Sequence, residues 1–299
     1  MLRKLDRLTE LTQGSRWGRL RFAPWHYLYG QCFQKVVYPF LRRGILANVK
    51  TFWGAEMHIR LPAAMDIFLL GGKTHDSELR LTRFMIQQLS PGDQVADIGA
   101  HYGFFSLLAA ELTGPHGRVE AFEASTNTFN VLQGNQKDKS QINAHHLAIN
   151  DFDGHLDFYE FPTLYAEYNT MRPSQFAEQK WYRKHPPKVR QVPAMTFDTF
   201  CTHFTFQPAF IKIDVEGAED KVIAGMTQVI ANDRPIIVIE YLAETRLNGA
   251  HQLAAKKLNE SGFSAHRIKA NGDLAACRDI DAYLRQSGLD SDNIVFMVL

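Results

Sequence analysis

The chain lacks any apolar run that reaches the roughly 18 residues a membrane-spanning helix needs, so no span is expected. It has only three cysteines in 299 residues, Cys32, Cys201 and Cys277, scattered and without a Cys-x-x-Cys pair. That excludes a disulfide framework and a thiolate zinc site, and suits reduced thiols in a cytoplasmic setting. No His/Asp cluster has metal-site spacing, so no metal is expected. The opening Met-Leu-Arg-Lys-Leu-Asp-Arg has no apolar core of the kind a secretory signal carries, and the protein is expected not to be secreted. An excess of one charge is also missing. The 33 Lys and Arg nearly balance the 32 Asp and Glu, for a net +1, unlike a bulk nucleic-acid binder. Hydrophobic residues at 45% and charged residues at 22% support a full core and exclude disordered and fibrous classes.

The pattern Gly-x-Gly-x-x-Gly of dinucleotide-binding turns is absent as well. In its place residues 94–106 read Gln-Val-Ala-Asp-Ile-Gly-Ala-His-Tyr-Gly-Phe-Phe-Ser. Val95 to Ile98 predicts a buried strand, Gly99 to Gly103 a turn, and Phe104 to Leu112 a helix with apolar residues at helical spacing. This is the first half of a nucleotide-binding α/β unit, whose glycines let a ligand approach the backbone. Asp97 would repel a pyrophosphate but hold a cationic amine. S-adenosylmethionine (SAM) carries an ammonium and a sulfonium and no phosphate. The next strand, Arg118 to Phe122, ends in Glu123, 26 residues after Asp97, where an acid can accept two ribose hydroxyls. The plain alternative is a β-turn whose residues only cap a helix.

Along the chain, Met57, Ile59 and Leu61 alternate as a small β-element, and a helix over 77–89 is expected to be capped by Ser77. Thr126 to Gln136 predicts a helix and Ile142 to Ile149 a strand, with Asn150-Asp151 at its tip able to approach an adenine ring. His155 to Phe161 alternates. Phe210 to Ile213 predicts a buried strand ending in Asp214, followed by a helix over Ala218 to Ile230. Pro235 to Ile239 predicts another strand, ending in Glu240, and Phe263 to Ile268 and Asn293 to Val298 close the sheet. Alternating strands and helices imply a mostly parallel, doubly wound α/β sheet with helices on both faces. Ligands of such sheets bind beyond the carboxyl ends of the strands, where Asp97, Glu123, Asp214 and Glu240 all fall. Residues 76–299 form this domain, and 1–75 a helical, basic and aromatic extension with the β-element.

Residues 1–50 hold ten Lys/Arg against two Asp/Glu, a net of +8, which leaves −7 for the rest. Trp25, Leu28, Tyr29, Cys32, Phe33, Val36, Val37 and Phe40 follow helical spacing, with Pro24 at the start, Pro39 as a kink or stop, and Arg42, Arg43 and Gly44 at the end. The preferred reading is a stripe packed on the main domain. The sharper one is peripheral attachment to an anionic membrane, at its inner face; nucleic-acid binding ranks third, without a recognition motif. Residues 162–188 are irregular, with Tyr165, Tyr168, Trp181, Tyr182 and Arg183. Such an insert is expected to be a lid or substrate loop, or else a solvated loop.

Three motifs resemble the FkbM family of SAM-dependent methyltransferases: Val-Ala-Asp-Ile-Gly-Ala-His-Tyr-Gly-Phe-Phe-Ser (95–106), Ala-Phe-Glu-Ala-Ser (121–125) and, most distinctive, Phe-Ile-Lys-Ile-Asp-Val-Glu-Gly-Ala-Glu (210–219). Ile-Glu-Tyr (239–241) resembles the strand after them, and the match covers roughly residues 75–245. His101 stands where Asn is common in the family, and Ala124-Ser125 where Glu-Pro is common. The resemblance implies a Rossmann-like methyltransferase fold and O-methylation of a sugar, glycan or natural product. It carries SAM binding to Asp97, Gly99, Gly103 and Glu123, with His101, Tyr102 and Ala124 flanking them, and makes Asp214 and Glu216 candidates for the acceptor site. A hydroxyl acceptor needs a base; Asp214 is preferred, with Glu216 or Glu240 as alternatives, while His145, His146 and His185 lack supporting spacing. Acids in a first helical turn are stabilising anyway, which is the plain reading of Glu216 and Glu219. The rival functions are a SAM or adenosine-ligand binder without chemistry, and an NAD-dependent oxidoreductase, against which Asp97 and the missing middle glycine count.

Overall fold

Strand β3 (Gln94–Ile98) lies inside an eight-stranded sheet, third from one edge, in the computed structural model, which describes residues 1–14, 24–41, 43–137 and 139–298. With β4 (Arg118–Phe122), β5 (Ile142–His145), β9 (Phe210–Ile213), β10 (Ile236–Leu242), β11 (Ser264–Ile268), β12 (Leu274–Ala276) and β13 (Ser291–Met297) the order is β12-β11-β13-β10-β9-β3-β4-β5. The five strands from β10 to β5 are parallel; β13 runs antiparallel to β10 and to β11. The chain winds outward from β3 through β4 to β5, then returns to β9 on the other side of β3. Ligands bind where the winding reverses, and the register there sets Asp97 opposite Lys212.

The central strands are apolar on both faces because both are covered. Phe210 and Val238 share one core with Phe84, Phe105 and Leu108; Ile211, Ile213, Ile237 and Ile239 share the other with Phe122, Phe197 and Phe200. Each such buried side chain contributes about 1.5–3 kcal/mol relative to exposure. The hairpin β1 (Ile45–Lys50) and β2 (Glu56–Leu61) follows the expected alternation, with Met57, Ile59 and Leu61 fully buried in the first of these cores. The segment 1–75 thus shares its core with the main domain. No helix among the described residues is long and apolar enough to cross a membrane.

Four local expectations change. The strand read over 142–149 is two: β4 ends at Phe122, so past His145 the chain leaves its partner, and β6 (Ala148–Ile149) joins a small sheet with β7 (Gly154–Glu160) and β8 (Lys188–Met195). The helix read over 218–230 breaks into Glu219–Ala224 and Thr227–Asn232. The Asp198 carboxylate accepts from the backbone N–H groups of Gln228 and Val229 and starts the second piece afresh. Ser77 lies inside its helix, Asp76–Gln88, and does not cap it. The helix from Pro24 passes through a π-helical turn, Phe33–Val37, and stops at Leu41. The turn widens before Pro39, whose missing N–H would break an ordinary α ladder. Arg42 lies outside the described residues.

One close approach fixes the switch point. Gly99 has φ +83°, and a Cβ there would sit 1.8 Å from the Asp214 carbonyl oxygen. Only glycine lets the loops after β3 and β9 touch. Gly99→Ala is therefore expected to destabilise the protein by ~2 kcal/mol or more, checked by urea unfolding; an unchanged midpoint would contradict this packing.

Candidate active site

The loops beyond β3, β4, β9 and β10 open on a cavity of about 480 Å³, within the size range of small-molecule sites. Gly99, His101, Glu123, Ala124, Asp214, Glu216 and Glu240 line it. Four residues expected at the cofactor do not. Asp97 is buried at 2% exposure, and its Oδ2 accepts from Ser106 Oγ at 2.6 Å. Tyr102 is buried behind His101, and Gly103 caps the helix Phe104–Thr113 with φ +85°. Asn150 lines a separate hollow with Asp151 and Lys221. His145, His146 and His185 also stand off the cavity; His145 pairs with Glu120 instead.

Glu123 is fixed by its neighbours. Its Oε2 accepts from His101 N–H at 2.9 Å and its Oε1 from Ser125 N–H at 2.8 Å. Each oxygen keeps a lone pair for a ligand hydroxyl. Burial pushes its pKa up to about 7, against the pull of those two N–H groups. His101 Nε2 is buried with no hydrogen-bond partner, and burial first, then Lys73 and Lys212, lower the ring to about 3, so it is neutral.

Opposite stands an acid cluster around Lys212. Lys212 Nζ lies 3.0 Å from Asp214 Oδ2 and 3.8 Å from Asp97 Oδ1. Burial opposes its charge, but Asp214 and Asp97 outweigh burial and raise its pKa. Asp214 is itself held low: burial would raise it, yet Lys212 and a hydrogen bond from Glu240 prevail. Glu240 accepts from Ser291 Oγ at 2.9 Å and is pushed up to about 8 by burial, then by Asp214. Burial, Glu240 and Asp214 raise Glu216 well above the usual carboxylate range. The two shifts run in opposite directions, Asp214 toward the charged form and Glu240 toward the protonated one. Asp214, Glu216 and Glu240 present oxygens within 4.8 Å of one another, a set that a hard cation could also use.

Glu216 and Glu219 divide the roles that a first helical turn would have given both. Glu219 opens its helix, and its Oε1 accepts from Gly217 N–H while Oε2 meets His251 Nε2 at 3.1 Å, both residues buried. Glu216 precedes the helix with φ +54°, a costly conformation for a non-glycine residue. Thr170 Oγ1 and Gln175 Nε2 each donate to the Glu216 carbonyl at 2.6 Å and hold it there. Both come from the 162–188 insert, whose Glu167, Tyr168 and Met171 also line the cavity. The other insert aromatics mostly pack on each other, Tyr165 on Trp181 at 4.5 Å.

Sequence reasoning passed over Lys212, although a lone cation inside the apolar run Phe210–Ile213 was a signal. It also missed Asp66, Lys73 and Glu78, which line the cavity from the other side, with Lys73 Nζ 2.8 Å from Glu78 Oε1. No motif marked them.

Glu123 and Glu240 hold protons in the folded state at pH values where an ordinary Glu, at 4.5, has lost them. Their raised values mean that their contribution to stability is full below about 4.5 and is lost as pH rises through about 7 and then about 8. The urea midpoint should fall from about pH 5 to about pH 9, and Glu123→Gln should flatten the lower part of that fall; a midpoint rising over the window would contradict both assignments.

Residues 97–286 match the family described as the methyltransferase FkbM domain. None of the curated proteins matches the chain. Among solved structures it is similar to the methyltransferase FkbM from Methylobacillus flagellatus KT, at 14% identity and a TM-score of 0.44, covering 79% of this chain and 52% of that one. The chain thus spans about half the length of that relative. A SAM-dependent O-methyltransferase from Thermotoga maritima is similar at 12% identity, TM-score 0.40, with 85% and 78% covered. Aeropyrum pernix fibrillarin, in complex with natively bound SAM, is similar at 12% identity, TM-score 0.38, with 73% and 74% covered.

Proposed function

The chain belongs to the FkbM methyltransferase family, and from that premise we propose that it transfers a methyl group from SAM to a hydroxyl of a sugar, glycan or natural product, in the cytoplasm. The observation that carries the reading is one cavity with two unlike ends: Glu123, held by two backbone N–H groups with a lone pair left on each oxygen, and the close acids Asp214, Glu216 and Glu240.

The residues present fit SAM. Glu123 would accept the ribose hydroxyls, and Phe122, Leu147, Ile149 and Phe158 form an apolar wall for the adenine. Lys73 with Asp66 and Glu78 offers both charges for the amino-acid end. The sequence reading gave the amine to Asp97. Because Asp97 faces Ser106 and Lys212, this proposal passes the amine to the cavity acids and keeps Asp97 as the support of Lys212.

Bound SAM supplies an electrophilic methyl carbon. The chain's task is to align the acceptor oxygen and take its proton, and alignment alone can contribute ~7–11 kcal/mol. Asp214, the base preferred from sequence, is made a weak one by Lys212. Glu240 is better matched, since a base works best with a pKa near the working pH. The pair accepts a proton only once Glu240 has lost its own. With tritiated-methyl SAM and a panel of saccharide acceptors, kcat/KM should climb with pH to a plateau above about 8. Glu240→Gln should abolish transfer while sparing S-adenosylhomocysteine binding, and Asp214→Asn, which removes the acid that helps raise Glu240, should move the climb to lower pH. A flat profile, or full activity in Glu240→Gln, would remove Glu240 from the role.

A further inference from the structure

Of the stripe expected to pack on the main domain, Phe33 and Val37 do so, while the rest faces outward. Phe33 and Tyr38 point inward and are buried, while Trp25, Leu28, Tyr29, Val36, Phe40 and Leu41 are more than half exposed, Trp25 at 80% and Phe40 at 85%. Of the thirteen large apolar side chains exposed among the described residues, seven fall between Trp25 and Leu46. Scattered exposed apolar residues are ordinary, but a contiguous stripe of them marks a docking face. Trp25, Tyr29, Cys32, Val36 and Phe40 follow one another along the helical segment Pro24–Leu41, which at ~1.5 Å per residue is about 27 Å long.

Charge selects the occupant. From Leu11 to Ala55 the sequence has no Asp or Glu and seven Lys or Arg, and Lys35 and Arg43 are exposed on and beside the helix. An apolar face with aromatic residues, on a stretch of sequence that carries cations and no acids before Glu56, matches an anionic bilayer interface, where the rings sit at headgroup level and the cations meet lipid phosphates. A protein partner of ordinary composition would not require acids to be missing over 45 residues.

The helix also adjoins the cavity wall. Gly30 packs on Met65, where a Cβ would come within 2.7 Å of the Met65 sulfur. His26 and Tyr29 meet Phe68 at 5.0 and 5.8 Å. Met65 and its neighbours Asp66 and Ile67 line the cavity. We propose that the outer face of residues 25–41 lies in the interface of an anionic membrane and holds the cavity's Met65 wall next to the bilayer. This does not depend on the chemistry proposed above.

The test is flotation of the full chain with vesicles of phosphatidylcholine alone or with about a third phosphatidylglycerol, at low and high salt. The expected result is partition onto the anionic vesicles at least about tenfold stronger than onto neutral ones, weakened by salt. Trp25→Ser with Phe40→Ser should lower it by a further factor of about ten while leaving the melting temperature and S-adenosylhomocysteine binding unchanged. Absence of the wild-type protein from anionic vesicles would overturn the proposal. So would equal binding by the double variant, or a dimer in solution that the variant dissolves without any vesicle binding, which would assign the face to a second copy.

Discussion

Three adjoining strands, β3, β9 and β10, bring Asp97, Asp214 and Glu240 together near their carboxyl ends, Glu240 from within its strand, and like charges so close would push those ends apart unless something answered them. At about 4 Å and an effective dielectric near 20, each repulsion is on the order of 4 kcal/mol. Lys212 is that answer. It projects from β9 between Asp97 and Asp214, buried, with its ammonium also 5.2 Å from the Phe105 ring centre. Lys212 keeps Asp214 ionised, and the proton that cannot be dispensed with moves to Glu240. Protonation, and not a second cation, relieves the third acid, Glu216, whose nearest cation, Arg246, is 3.9 Å away.

The topology explains why this cluster and Glu123 share one cavity. Reversal of the winding at β3 brings the loops after β3, β4 and β9 side by side, and Gly99 lets two of them touch. Two segments outside the central sheet then close the space. The insert clamps the Glu216 backbone through Thr170 and Gln175, and Met65 to Glu78 supplies the opposite wall. The half built by the strand ends is suited to a nucleoside.

The doubly wound sheet and most of the strand-end acids could be read from sequence because each rests on local pattern. An apolar run closed by an acid, as in Phe210–Asp214, announces a buried strand and the acid at its tip. Glu216 and Glu219 could not be separated that way, since their difference lies in backbone conformation and in partners far along the chain, Thr170 46 residues from Glu216 and His251 32 residues from Glu219. Asp97 reads as a tip residue but sits one residue too deep, behind Ile98, and its side chain falls beneath the turn. Lys73 and Glu78 escaped notice because their relevance depends on how a loop folds over the sheet. The exposed stripe at 25–41 was legible as a helix, but which side faced water was not, because both sides are apolar.

The most direct measurement is calorimetric titration of the purified protein with S-adenosylhomocysteine, alongside Glu123→Ala and an NADH control. The account predicts micromolar binding, weakened at least about tenfold in Glu123→Ala as a paired hydrogen-bond acceptor is lost, and no heat from NADH. Failure to bind S-adenosylhomocysteine, or a preference for NADH, would contradict it.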